Sequence, residues 1–257
     1  MACGVIIPLR AVLQEEEYGR ILCYPRFSLD ELERRVRELR RLGVTALEFR
    51  GEKLVSGVPV LGKGCVGIVV IAHLNHKRAA LKIRRVDADR SGMEHEAEML
   101  RRANSVGVGP KLLKATENFL LMEFVEGWLL PEWVDRLEGE GAKPRLRRVL
   151  RSLLEQCWRL DEVGVDHGEL SRAPKHVIIN VEDEPYILDF ETASTQRRVS
   201  NVTSLCQYLF ISGGLAEKVQ RVLGRVDREG LISALRAYKR ERTRERFQRI
   251  LEVCGLL

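Results

Sequence analysis

The sequence predicts an α+β fold, with a β-rich N-terminal half and a mostly helical C-terminal half. Three observations lead there. Runs rich in β-branched and other apolar residues, Ile68 to Ile71, Ala79 to Ile83 and Asn118 to Val125, all fall before residue 126. From about Arg145 to Val163, apolar residues recur at 146, 149, 150, 153, 154, 157, 160 and 163, the spacing of a helix buried on one side. Gly62, Gly64 and Gly67 form G-x-G-x-x-G between two apolar strand-like runs, with no helix pattern after Gly67.

At 257 residues the chain can bury a large core, and 45% hydrophobic with 31% charged residues describes a soluble globular protein. No stretch approaches the roughly 20 apolar residues that span a bilayer. Met1 to Leu13 lacks a basic leader and is interrupted by Pro8 and Arg10, so it does not read as a signal peptide. Cys3, Cys23, Cys65, Cys157, Cys206 and Cys254 are scattered, as expected of reduced, mostly buried thiols in a cytoplasmic protein. Net charge is +6, and residues 221–257 carry ten Lys/Arg against five Asp/Glu. Such a basic tail suits either a solvated helix face or an acidic or RNA-containing partner.

In chain order, Ser28 and Glu31 form a capping box that opens a helix to about Arg41, stopped by Gly43. Val44 to Phe49 reads as a strand and Lys53 to Val60 as another. Ile68 to Ile71 and Ala79 to Ile83 flank a turn at Asn75-His76-Lys77. A helix from about Asp89 to Ala103 holds Glu94, Glu96 and Glu98. Strands follow at Lys111 to Thr116 and Asn118 to Val125. After the helix ending near Val163, Val177 to Ile179 and Tyr186 to Phe190 form a hairpin around Glu182-Asp183-Glu184. Helices are expected at Val202 to Ile211, Leu215 to Leu223 and Gly230 to Val253.

The order of signals is a glycine loop, a strand lysine (Lys82), a helix glutamate, Met122-Glu123-Phe124-Val125, His167-Gly168-Glu169-Leu170 and Leu188-Asp189-Phe190. This order resembles the eukaryotic-like protein kinases over about residues 55 to 215. It is most similar to small atypical archaeal serine/threonine kinases, the Rio type and the kinase of the threonylcarbamoyl-tRNA complex. The resemblance implies a two-lobed protein-kinase-like fold, with an extension at 1–50, an N-lobe at 51–126 and a C-lobe at 127–257. It implies ATP and Mg²⁺ as cofactors, and a protein substrate or autophosphorylation.

Residue by residue, the resemblance assigns the phosphates to the backbone of Gly62, Gly64 and Gly67, and charge neutralisation to Lys82. A lysine on an apolar strand needs an anionic partner. Glu96 is the choice, with Glu98 and Glu94 left open by adjacent helical turns. Met122 would border the adenine, and the backbone of Glu123 and Val125 would meet its edge. Asp189 would hold Mg²⁺, and Glu169 would accept the proton of the acceptor hydroxyl. His167 is expected to be structural.

The sequence departs from the family in three places. Glu169 stands for the usual Asp. Pro174 stands where an Asn holds a second metal; either the loop carries an insertion and another oxygen ligand such as Glu191 completes the site, or a cation replaces one metal, the favoured expectation being that Lys175 contacts phosphate. Glu191 stands for the Gly after Asp-Phe, and Asn201 comes only 12 positions after Asp189. These departures leave a small-molecule kinase of the choline or aminoglycoside type, or a nucleotide-binding pseudokinase or adaptor, as alternatives to a protein kinase.

Overall fold

The computed structural model describes residues 4–75 and 77–257, the side chain of Arg90 excepted. The turn expected at Asn75-His76-Lys77 falls partly outside them at His76. The chain divides into two compact units. One takes in residues up to Leu100 together with Pro110–Phe124, and the other Arg101–Gly109 and Val125–Leu257. The β-rich N-terminal and helical C-terminal character expected from the sequence is present.

The first unit contains β1 (Val5–Pro8), α1 (Glu16–Leu22), α2 (Leu29–Leu42), β2 (Ala46–Phe49), β3 (Lys53–Val55), β4 (Val58–Val60), β5 (Gly62–Lys63), β6 (Gly67–Leu74), β7 (Lys77–Arg84), most of α3 (Arg90–Ser105), β8 (Leu112–Ala115) and β9 (Phe119–Glu123). Its main sheet runs β1-β2-β6-β7-β9-β8, with β5 paired to β6. Residues 1–50, expected as an extension, supply β1 and β2 to this sheet, antiparallel to each other and on to β6. The stretch from Lys53 to Val60, read as one strand, is a hairpin. Ser56 and Gly57 take positive φ of 49° and 87°, which folds β3 back on β4.

α2 follows its apolar pattern, burying Leu32, Val36, Leu39 and Leu42, and ends on Gly43 at φ 85°. The capping box is not formed. Ser28 is the N-cap residue but its side chain caps nothing. Glu31 turns instead to Arg34 and Arg35. Arg35 is fully buried and donates to Leu22 O, Arg84 O and Asn118 Oδ1, tying α2 to the sheet. A buried guanidinium survives because these acceptors replace its water.

The second unit contains β10 (Gly127–Leu129), α4 (Leu130–Asp135), α5 (Ala142–Glu162), β11 (Val177–Asn180), β12 (Pro185–Ile187), α6 (Asn201–Cys206), α7 (Gly214–Leu223), α8 (Arg228–Arg240) and α9 (Arg244–Val253). A 3-10 turn at Leu170–Arg172 precedes β11, and a π-helical stretch, Gln207–Ile211, continues α6. β10, β11 and β12 form a small antiparallel sheet. α5 buries Leu146, Val149, Leu150, Leu153, Leu154, Cys157 and Leu160, the face read from the sequence.

Two expectations change in this unit. The helix expected over 230–253 is two helices broken at Glu241–Thr243, where Thr243 caps α9 by accepting from Arg246 N. The strand expected to reach Phe190 ends at Ile187, because Asp189 adopts φ 67°. Three of the ten basic residues of the tail are paired, Arg244 with Glu155, Arg246 with Glu241 and Arg249 with Glu252. Among the described residues, no helix is long and apolar enough to cross a membrane. Of the described cysteines, all free, four are buried and Cys65 is exposed.

Candidate phosphotransfer site

In the first unit the central feature is a buried ion pair. Lys82 lies on β7, flanked in register by Val69 of β6 and Leu120 of β9. Its Nζ sits 2.8 Å from Glu96 Oε2 of α3, and the two residues are 5% and 2% exposed. Glu94 and Glu98 point to solvent, which settles the choice that helical register left open. A pair so enclosed is not a snorkelling lysine. Each charge depends on the other for the solvation that burial removed.

The glycine loop is the β5–β6 hairpin, closed by Gly64 N donating to Gly67 O at 2.8 Å. Its three glycines are not equivalent. A Cβ on Gly62 or Gly64 would meet only ordinary contacts. One on Gly67 would lie 2.9 Å from Ile83 O and 3.0 Å from Lys82 Cγ. Gly67 therefore lets β6 close onto the stretch of β7 that carries Lys82.

Met122 is half-buried near the end of β9, opposite Ala80. The Glu123 amide donates to Lys111 O at 2.8 Å, so its backbone can offer a ligand only the carbonyl. Val125 follows in a loop at the start of the second unit.

In the second unit the candidate side chains stand on loops. The segment Asp166–Glu169 is pinned by the chain that follows Asp189. Asp166 pairs with Ser194 as an isolated bridge, and its carboxylate accepts from Arg197 Nε, Ser200 N and Ser200 Oγ. Thr192 Oγ1 donates to His167 O. His167 is fully buried, with Nε2 2.9 Å from Leu188 O and its ring edge-on to Phe190. Burial pushes its pKa down to about 4, so the ring is neutral. It packs and hydrogen-bonds inside the loop, away from solvent.

Below this segment, Asn201 and Asp161 form a buried hub. Asp161 accepts from Asn201, Val202 N and the Tyr238 hydroxyl, while Asn201 Oδ1 accepts from His167 N. Burial raises the Asp161 pKa, and these donors oppose that shift.

Glu169 is half-exposed at the start of the 3-10 turn. Lys175 is exposed, and Asp189 and Glu191 are half-buried. Asp189 directly follows Leu188, whose amide donates to His176 O at 2.8 Å. Its left-handed backbone turns the chain off the end of β12, a strained state that Asp tolerates better than most residues. Sequence reasoning missed His176, which is buried with Nε2 3.0 Å from Glu169 Oε2 and 3.8 Å from Asp189 Oδ2. Its only signal was an imidazole close behind the catalytic-loop motif.

Residues 71–205, just over half of the chain, match the family model of the RIO domain. This chain belongs to the RIO family. An uncharacterized protein of Methanocaldococcus jannaschii is 31% identical to it over 102 residues, which is 40% of this chain and 83% of that protein. RIO proteins are atypical kinases, so the chain is a protein-kinase-like, ATP-binding phosphotransferase. The RIO match covers Lys82, Glu96, Glu169 and Asp189, and begins after the glycine loop.

The family implies ATP and Mg²⁺, and the residues fit both. Lys82 is a buried cation held in place by Glu96, beside a hairpin whose Gly67 lacks a side chain. Asp189 and Glu191 offer carboxylate oxygens, the donors that Mg²⁺ prefers.

Proposed function

We propose that this RIO protein transfers the γ-phosphoryl group of ATP to a serine or threonine hydroxyl of a protein, its own chain included. The buried Lys82–Glu96 pair carries the reading, because a lysine held this way supplies a fixed positive charge for phosphate oxygens. Glu96 prevents Lys82 from folding back to solvent. Glu169 orients the acceptor hydroxyl and takes its proton as the oxygen attacks. Its extra methylene relative to Asp is accommodated in a half-exposed position beside His176. Lys175, exposed on the same loop, supplies a further cationic contact to the phosphates. When bound at Asp189, Mg²⁺ supplies charge neutralisation between the phosphates.

A second reading is a small-molecule kinase. It is favoured by the segment after Asp189, where Thr192, Ser194, Arg197 and Ser200 all bond back onto Asp166 or His167. That segment is spent on holding the loop and offers little backbone for docking a peptide. Incubation with γ-labelled ATP separates the readings. Label on protein, on serine or threonine after acid hydrolysis, supports the first. Label only on an added hydroxylated metabolite supports the second. Nucleotide binding without transfer to any acceptor contradicts both.

A further inference from the structure

The hub beneath Asp166–Glu169 is joined to the C-terminal helices by one side chain. Tyr238 stands on α8, 1% exposed, with its ring against Trp158 of α5. Its hydroxyl donates to Asp161 Oδ2 at 2.8 Å. A phenylalanine would fill the same space, so the hydroxyl is what distinguishes a tyrosine here. Asn201 Nδ2 donates to Asp161 Oδ1 at 2.8 Å and to Val165 O at 2.7 Å. With that end of its carboxamide held, Asn201 turns Oδ1 to His167 N and accepts from it at 2.8 Å. His167 comes two residues before Glu169. A continuous path of buried hydrogen bonds thus runs from α8 to the loop that carries the proposed proton acceptor.

The path depends on the charge of Asp161. Its carboxylate accepts from Asn201 N, Asn201 Nδ2, Val202 N and Tyr238 Oη. A protonated carboxyl turns one oxygen into a donor and can no longer accept from all of them. The ionisable groups that face it are Cys157 of α5, Cys206 of α6 and Tyr238 itself. Burial raises the pKa of all three, so they stay protonated and none supplies a positive charge. Arg242, just past α8, acts on Tyr238. Burial raises the Asp161 pKa as well, and of the donors that oppose this the Tyr238 hydroxyl acts most strongly. Without that hydroxyl, Asp161 takes up its proton at higher pH.

We propose that Tyr238 is a positioning residue for phosphoryl transfer, acting through Asp161 and Asn201 on the segment that carries Glu169. The inference rests on the phosphotransferase reading for the role of Glu169. It gives α8, far from Glu169 in sequence, a part in setting the pH range of the reaction.

The test compares the full-length wild-type protein with Tyr238→Phe, Asp161→Asn and the double variant. Transfer from γ-labelled ATP is measured against pH, and the His167 amide is followed by magnetic resonance in ¹⁵N-histidine-labelled protein. Tyr238→Phe should move the acid limb of transfer to higher pH by about one unit or more, with ATP affinity within about twofold of wild type. The His167 amide shift should move by the same amount, apart from the ring's own titration near 4. Asp161→Asn should transfer slowly at every pH, and adding Tyr238→Phe to it should not shift the profile further. A folded Tyr238→Phe protein whose pH profile and His167 amide shifts superpose on wild type would overturn the proposal, even if it were less stable. So would an Asp161→Asn protein with the wild-type profile, or an equal shift from Tyr238→Phe in the Asp161→Asn background. A His167 amide that follows Tyr238→Phe in a protein that transfers no phosphate at any pH would overturn it through the phosphotransferase reading, with the hydrogen-bond path upheld.

Discussion

Lys82 and Glu96 stand on an interior strand and a 16-residue helix, and both are buried. Glu169, Lys175 and Asp189 stand on loops of the second unit, all outside strands and helices and none fully buried. The difference separates two ways of holding a charged group in place. In the first unit, sheet register and helix packing fix the lysine, and a partner charge makes its burial tolerable. In the second, a chain of hydrogen bonds from Thr192, Ser194, Arg197 and Ser200 fixes the loop, and the acidic side chains keep access to solvent. A buried pair should therefore couple function to stability, and a loop carboxylate should separate them.

Lys82→Ala gives the largest expected effect. Transfer should fall by about 10²-fold or more. Stability should also fall by ~3 kcal/mol or more, because Glu96 is left buried without its cation. Adding Glu96→Gln should recover much of the stability, read from urea unfolding, and none of the transfer. A Lys82→Ala protein as stable as wild type would break the comparison at its strongest point.

Asp189→Asn should remove a similar share of activity with a stability change within about 1 kcal/mol, since Asn tolerates the left-handed backbone nearly as well as Asp. A large drop in melting temperature would show that this carboxylate is structural.

His167 sharpens the account of the loop. Its pKa is lowered from 6.5 to about 4, chiefly by burial, with Leu188 O, Asp189 and Asp166 opposing the shift and His176 adding to it. The folded protein thus holds the ring neutral while the unfolded chain takes up a proton below pH 6.5. Its contribution is fully present above that pH and is lost as pH falls towards 4, by roughly 3 kcal/mol in all. Urea midpoints measured across this window should decline, and His167→Gln should flatten that part of the decline. A ring resonance that titrates near 6.5 in the folded protein would contradict the assignment.

How far the sequence could be read follows the same division. The Lys82 strand, the α3 glutamates and the amphipathic α5 were legible because burial imposes period on residue type. The loop positions of Glu169 and Asp189 were legible only through the order of motifs. What lay beyond reading were contacts between distant segments. Arg35 looks like a surface arginine in its helix, yet it is buried against Arg84 O and Asn118. His176 gave no sign that two carboxylates would face it. The break at Ser56-Gly57 was missed because apolar residues stand on both sides of it, and that at Glu241–Thr243 because it lies in a stretch, Lys239 to Arg246, with no apolar residue and so no period to read. Ser28 matched a capping pattern, but Glu31 found arginines instead. Ser28→Ala should accordingly cost less than the ~1 kcal/mol typical of a lost N-cap, the smallest effect expected here. Thermal unfolding will show whether the loss reaches that value.

The central claim is a division of labour between the buried lysine and the loop carboxylate, and paired measurements on Lys82→Ala and Glu169→Gln test it most directly. ATP affinity is measured by calorimetry and transfer by single-turnover labelling. Lys82→Ala should lose both. Glu169→Gln should keep ATP affinity within about threefold of wild type and lose turnover by roughly 10²-fold or more, because the group acts on the acceptor hydroxyl. Wild-type turnover in Glu169→Gln, or an equal loss of affinity in both variants, would contradict the account.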